Sequence, residues 1–172
     1  MKREPVEANV LGLQNISSMC LVCGQDNALS LHAHFLNLED GSICGIFETK
    51  DEHQSYPGRV HGGIISAILD ETIGRAAQNA YPDIWGVTME LTVKFRQPVP
   101  LDVPIKAVAR ITKMTNRIFE GSGEIVLEDG TVAAQATARY ANLPVDVIAK
   151  DGFSDSSDWR TDTRDYPDTI AL

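Results

Sequence analysis

Cysteine is scarce in this chain. Cys20, Cys23 and Cys44 are the only three in 172 residues, an odd and small set that does not build the disulfide framework of a secreted module. No apolar run approaches the roughly 20 residues needed to span a bilayer, and Lys2, Arg3, Glu4 and Glu7 stand where a targeting peptide would lead into an apolar stretch. The expectation is a cytoplasmic protein with no membrane insertion. Basic charge is also short: 15 Lys and Arg face 24 Asp and Glu, a net charge of -9. That balance argues against nucleic acid as a partner, because such binding draws its affinity from neutralised phosphates. Any phosphate-bearing ligand needs a local basic cluster. There is no internal repeat, and the length fits one domain able to bury its own core.

What the chain does contain is a clear succession of strand and helix patterns. Residues 1–30 are mixed and turn-rich, with Gly12, Gly24 and Asn27, and read as an N-terminal arm with at most a turn or two of helix. From Leu31 the pattern becomes strand-like. Asp40-Gly41 then separates His34-Phe35-Leu36 from Ile43-Cys44-Gly45-Ile46-Phe47, as a tight hairpin does. A turn-forming loop over 53–59 leads into His61-Gly62-Gly63, where a helix is predicted to begin. On a wheel of about 100° per residue, Ile64, Ile65, Ile68, Leu69, Ile73, Ala76 and Ala80 occupy an arc far wider than a surface stripe. Such a helix must be covered over much of its circumference.

After Tyr81-Pro82-Asp83, the residues Met89, Leu91, Val93 and Phe95 alternate with Glu90, Thr92, Lys94 and Arg96, the period of a half-buried strand. Three further antiparallel strands follow, with turns at Thr115-Asn116 and Asp129-Gly130. The order is α+β: one long central helix against an antiparallel sheet of five to six strands. From Val145 the composition shifts to spaced aspartates with Lys150, Arg160 and Arg164, the pattern of a solvated tail. Phe153, Trp159 and Tyr166 interrupt it, so the tail is expected to dock, on its own subunit or on a neighbour. The division is an arm over 1–30, a folded domain over 31–142 and an acidic tail over 143–172.

The loop Tyr56-Pro57-Gly58-x-x-His61-Gly62-Gly63, with Asp70 nine positions after the histidine, resembles the PaaI-like acyl-CoA thioesterases of the hotdog superfamily. Cys20-x-x-Cys23-Gly24, Thr88 and Phe95-Arg96-Gln97-Pro98-Val99-Pro100 extend the likeness to about residues 20–142, closest to the branch of thioesterase-superfamily members 4 and 5. The resemblance implies a hotdog fold, a sheet wrapped around the helix, with an active site between paired subunits. It also implies an acyl-CoA substrate, no cofactor, and a homodimer or a dimer of dimers.

Thioester hydrolysis requires a carbonyl polariser and an activated water or a nucleophile. Amides at a helix start carry partial positive charge and suit an oxyanion, and glycine lets substrate approach them. Gly62 or Gly63 is expected in that role, although glycines here also permit close helix packing. Two acids compete for the carboxylate. Glu71 lies beside Arg75 at i+4, where a solvated ion pair explains both. Asp70 sits at the edge of the apolar arc with Ser66 at i-4, and partial desolvation there raises a carboxylate toward the range useful to a base. The resemblance also selects Asp70, as base or nucleophile, and matches Thr88 to a hydroxyl that orients water. His61 is expected to brace the helix start. Some relatives carry an asparagine six residues before this histidine. Here Ser55 stands there with Gln54 before it, which leaves open what the loop contributes. Lys94, Arg96, Lys113 and Arg117 are the candidate cations for CoA phosphates.

Cys20-x-x-Cys23 is half of a zinc arrangement that His32, His34 or Cys44 would have to complete. No second pair stands at zinc spacing, and the expectation is no metal. Two rival functions remain. Hotdog hydratases carry D-x-N-x-x-H, which this chain lacks. A non-catalytic dimer that binds an acyl-CoA or another apolar ligand as a sensor or docking module is the alternative to hydrolysis.

Overall fold

A computed structural model describes residues 2–149 and 158–172. The elements run β1 (Glu7–Leu13), β2 (Ile16–Ser17), β3 (His34–Leu38), β4 (Ile43–Phe47), α1 (Gly62–Ala80), β5 (Trp85–Phe95), β6 (Ile105–Met114), β7 (Ile118–Val126), β8 (Val132–Leu143), α2 (Val145–Ile148), β9 (Trp159–Arg160) and β10 (Thr169–Ala171). A single 3-10 turn at Asp51–His53 precedes the helix loop. The main sheet has eight strands in the order β10-β1-β3-β4-β6-β7-β8-β5, with antiparallel pairing throughout. The five to six strands expected from sequence are β3 to β8. The two additional ones come from the ends of the chain: residues 7–13 form β1 instead of a turn of helix, and β10 pairs with it at Glu7↔Ala171 and Asn9↔Thr169.

Helix α1 lies across the concave face of this sheet. Ile65, Ile68, Leu69, Ile73, Ala76 and Ala77 are buried among Phe35, Phe47, Ile105, Phe119, Ile125 and the small side chains of β8, Ala134, Ala136 and Ala138. The helix comes this close because β7 carries no side chain where they meet. A Cβ on Gly121 would stand 2.5 Å from Ile73 Cγ2, and one on Gly123 2.9 Å from Ile73 Cγ1. The broad apolar arc is therefore matched by broad cover, with Ala80 alone of the expected set exposed at the last turn. The turns at Asp40-Gly41 and Asp129-Gly130 stand as expected, with both glycines at positive φ.

Strand β5 is one edge of the sheet, with β10 at the other, and it departs from the expected half-buried pattern. Leu91 and Val93 pack against the core, but Val87, Met89 and Phe95 are exposed, Met89 at 57% and Phe95 at 55%. A register shift between Thr88 and Glu90 displaces Met89 from the alternation, and among the described residues no strand pairs on the outer side of β5.

The acidic tail docks on its own chain. Trp159 and Arg160 pair with Ser17 and Ile16. Arg164 donates to the carbonyls of His32 and Ala33 at 2.8 and 2.9 Å while paired to the buried carboxylate of Asp162. Phe153, the first of the three aromatics expected to anchor the tail, lies outside the described residues. No helix among those described is long and apolar enough to cross a membrane.

Candidate active site

Two places on α1 gather the residues singled out by sequence. The first is the helix start. His61 is the N-cap, and its Nδ1 accepts the Gly63 N–H at 2.9 Å. Acting as acceptor, Nδ1 carries no hydrogen, and the ring caps the first turn of the helix. The cap uses the Gly63 amide and leaves that of Gly62 outside it. Beside Gly62 opens a cavity of about 370 Å3 lined by Ser55, Tyr56, Arg59, Val60, Phe95 and Arg96 among others. Ser55 and Arg96 thus reach this place, and Gln54 does not: its Oε1 accepts weakly from the Gly58 amide at 3.4 Å, closing the loop on itself. Arg59 joins unannounced, although a cation two residues before the histidine is itself a readable signal.

The second place is the middle of the helix. Asp70 Oδ1 accepts from Thr88 Oγ1 at 2.8 Å and, more weakly, from the Tyr140 hydroxyl at 3.2 Å. Tyr140 donates mainly to the Asp70 carbonyl, at 2.7 Å. Oδ2 has no hydrogen-bond partner among the described residues and remains available to a water. Burial raises the Asp70 carboxyl above its ordinary value, and the Thr88 and Tyr140 hydroxyls hold it back only in part. The carboxylate opens on a cavity of about 250 Å3 that it shares with Thr88, Tyr140, Trp85, Trp159, Cys20 and Glu71. Tyr140 was not anticipated. Its signal lies in register, since Thr88 and Tyr140 face each other across β5 and β8 and both hydroxyls reach the same helix residue.

Glu71 and Arg75 are not a solvated pair. Arg75 is 6% exposed, with Nε on Glu71 Oε1 at 2.7 Å, Nη1 on the Asn15 carbonyl at 2.7 Å, and the guanidinium over the Phe35 ring at 4.2 Å. The polar side of the helix is covered by the N-terminal arm and the tail, which the wheel cannot show. Ser66 donates to the Gly62 carbonyl at 2.9 Å, not to Asp70 one turn further on.

The remaining cations scatter. Lys94 points to the outer, convex side of the sheet, where a cavity of about 640 Å3 also takes Arg3 and Arg110. Lys113 pairs with Glu120 at 3.8 Å, and Arg117 sits in the β6–β7 turn. None of the three lines either place on α1. The residues that a zinc site on Cys20 and Cys23 would have required also stand apart: among the described residues, Glu71 is the third potential ligand, not His32, His34 or Cys44.

The geometry invites comparison with known proteins. Residues 57–134 match the family model of the thioesterase superfamily. The acyl-coenzyme A thioesterase THEM4 of Rattus norvegicus is 28% identical over 116 residues, 67% of this chain and 49% of that protein. A crystallised thioesterase superfamily protein superposes with a TM-score of 0.65 at 28% identity, over 72% of this chain and 60% of its own. Residues 57–134 are thus similar to the thioesterase superfamily, and the fold is the hotdog fold. The E. coli PaaI protein of the phenylacetic acid degradation operon shares the fold, with a TM-score of 0.59 at 15% identity over 66% of this chain and 80% of that one. The chain spans about half the length of the rat relative, and its Cys20, Tyr140 and Trp159 lie outside the residues matched by the family model.

Proposed function

We propose that this chain hydrolyses an acyl-CoA or related thioester, with Asp70 of one copy and the helix start of a second copy acting on the same carbonyl. The observation that carries this reading is the Asp70 carboxylate, half-buried on a cavity wall, raised above its ordinary value and held through Oδ1, with Oδ2 outside those hydrogen bonds. Such a group takes a proton from water, or attacks directly, at a pH where it is ionised and still basic. Thr88 and Tyr140 fix its orientation. The Gly62 amide, at the positive end of α1 and outside the His61 cap, suits the developing oxyanion.

One chain does not bring these parts together. Eight residues of helix separate Gly62 from Asp70, about 12 Å at 1.5 Å per residue, too far for both to touch one carbonyl. The exposed edge β5, with Val87, Met89 and Phe95 uncovered, supports pairing with a second copy. Arg59 and Arg96 beside Gly62 are the cations best placed for CoA phosphates. Tyr140 joins the catalytic set in this reading; Lys94, Lys113 and Arg117 leave the substrate-binding one.

The test is thiol release from short, medium, long and aryl acyl-CoAs by the purified chain. Hydrolysis of one class that disappears in Asp70→Asn supports the proposal. Tight binding of acyl-CoA with no release would instead establish the non-catalytic sensor reading.

A further inference from the structure

We infer that Cys20 and Cys23 form a thiol–disulfide exchange site in the wall of the Asp70 cavity, taking a low-molecular-weight disulfide as its substrate. The inference does not depend on the hydrolase reading. Both cysteines line the cavity, Cys20 partly exposed and Cys23 fully buried. The turn between them is tight: the Gly24 amide donates to the Cys20 carbonyl at 2.9 Å. The Cys20 sulfur accepts from the amides of Val22 and Cys23 at 3.3 and 3.5 Å. Both sulfurs and a Glu71 carboxylate oxygen lie within 4.8 Å of one another. One accessible and one shielded sulfur at this separation is the arrangement of an attacking and a resolving cysteine.

A fixed charge distinguishes this cluster from a metal site. Arg75 Nη2 is 3.1 Å from the Cys23 sulfur, and Arg75 Nε is 2.7 Å from Glu71. Two of the three residues a metal would need, Cys23 and Glu71, already face a buried cation. The same cation stabilises a thiolate. The amides and the Cys23 thiol act in that direction on Cys20, whose thiol is lowered to about 7, the Cys23 hydrogen bond being the largest cause. Cys23 is raised by the same hydrogen bond and by burial. Cys44 lies in a separate cluster on the other side of the sheet, where burial pushes its thiol up to about 12.

In the exchange, the Cys20 thiolate attacks one sulfur of R–S–S–R, the S–S bond breaks, and RS⁻ leaves with a proton from solvent. The Cys23 thiol then gives up its proton and attacks the Cys20 sulfur of the mixed disulfide, releasing the second RSH. Two cysteine sulfurs are oxidised and the two sulfurs of the small disulfide are reduced.

The experiment incubates the full chain in glutathione buffers of graded ratio, quenches with acid, alkylates, and maps the products by mass spectrometry. The expected result is a Cys20–Cys23 disulfide that forms reversibly with the ratio, while Cys44 stays alkylatable only after unfolding. In Cys23→Ser the mixed disulfide with one glutathione is trapped on Cys20. Alkylation of native Cys20 is expected to be at least about tenfold faster than that of Cys44 at neutral pH, following thiolate fraction and access. The wild-type mapping decides without any variant. Cys20 and Cys23 both remaining alkylatable at the most oxidising ratio would overturn the inference. So would purified protein carrying one zinc per chain with both thiols shielded until a chelator is added.

Discussion

The start and the middle of α1 would hold opposite halves of the proposed reaction. At the start, backbone is on offer: a glycine amide beside a cavity rimmed by Arg59 and Arg96, with the neighbouring amide already committed to His61. In the middle, side chains are on offer: a raised carboxylate held by two hydroxyls, walled by Trp85, Trp159 and the Cys20 turn. Neither place holds what the other supplies. The difference teaches that helix geometry alone, two turns of separation, makes a lone copy insufficient for the proposed chemistry.

Asp70→Asn is expected to break the comparison most deeply. A lost base or nucleophile lowers kcat by about 10²–10⁴. The thermal midpoint should hold or rise, and calorimetry beside the thiol-release assay checks both. The sign follows from the raised carboxyl: a group whose native pKa lies above its unfolded one stabilises the fold only below that range, and loses that contribution as pH rises through the native value. At neutral pH a neutral amide removes the desolvation cost of the charge.

Arg75→Met tests whether the middle of the helix depends on its buried cation. Chemical denaturation should show a loss of about 3 kcal/mol, since removal leaves Glu71 and the Asn15 carbonyl unpaired. Gly62→Pro strikes the start selectively. Proline suits the first helical position and His61 already has extended backbone, φ -65 and ψ 139, so folding should survive. The amide donor is gone, and kcat should fall about 10²-fold or somewhat more. Thr88→Val is the mildest change. It removes a hydroxyl that lowers the Asp70 carboxyl, so the acid limb of kcat/KM should move to higher pH by less than about one unit.

Sequence showed the start of α1 more clearly than its middle. The glycine pair after a histidine, the wide arc from Ile64 to Ala76 and the Asp-Gly turns are local signals, and local geometry followed them. Asp70 and Glu71 were separable because a one-residue step on a helix turns a side chain by about 100°. The hidden parts depend on distant chain. Arg75 reads as a surface partner of Glu71 until Phe35, Asn15 and Trp159 close over it. Strand β10 is three residues long and pairs with β1 from the far end of the sequence, beyond any window of hydrophobic period. Met89 and Phe95 alternate like core residues, and only the sheet order shows that among the described residues no strand lies beyond β5.

Asp70→Asn and Gly62→Pro chains, co-expressed with different tags and purified together through both, measure the link between the two places. If each reaction uses the carboxylate of one copy and the helix start of the other, the mixed dimer keeps one intact site of two. It should then recover about half the parental activity, the share set by two-fold symmetry. A mixed species no more active than either variant alone would contradict the account, because both halves would then have to act within one chain.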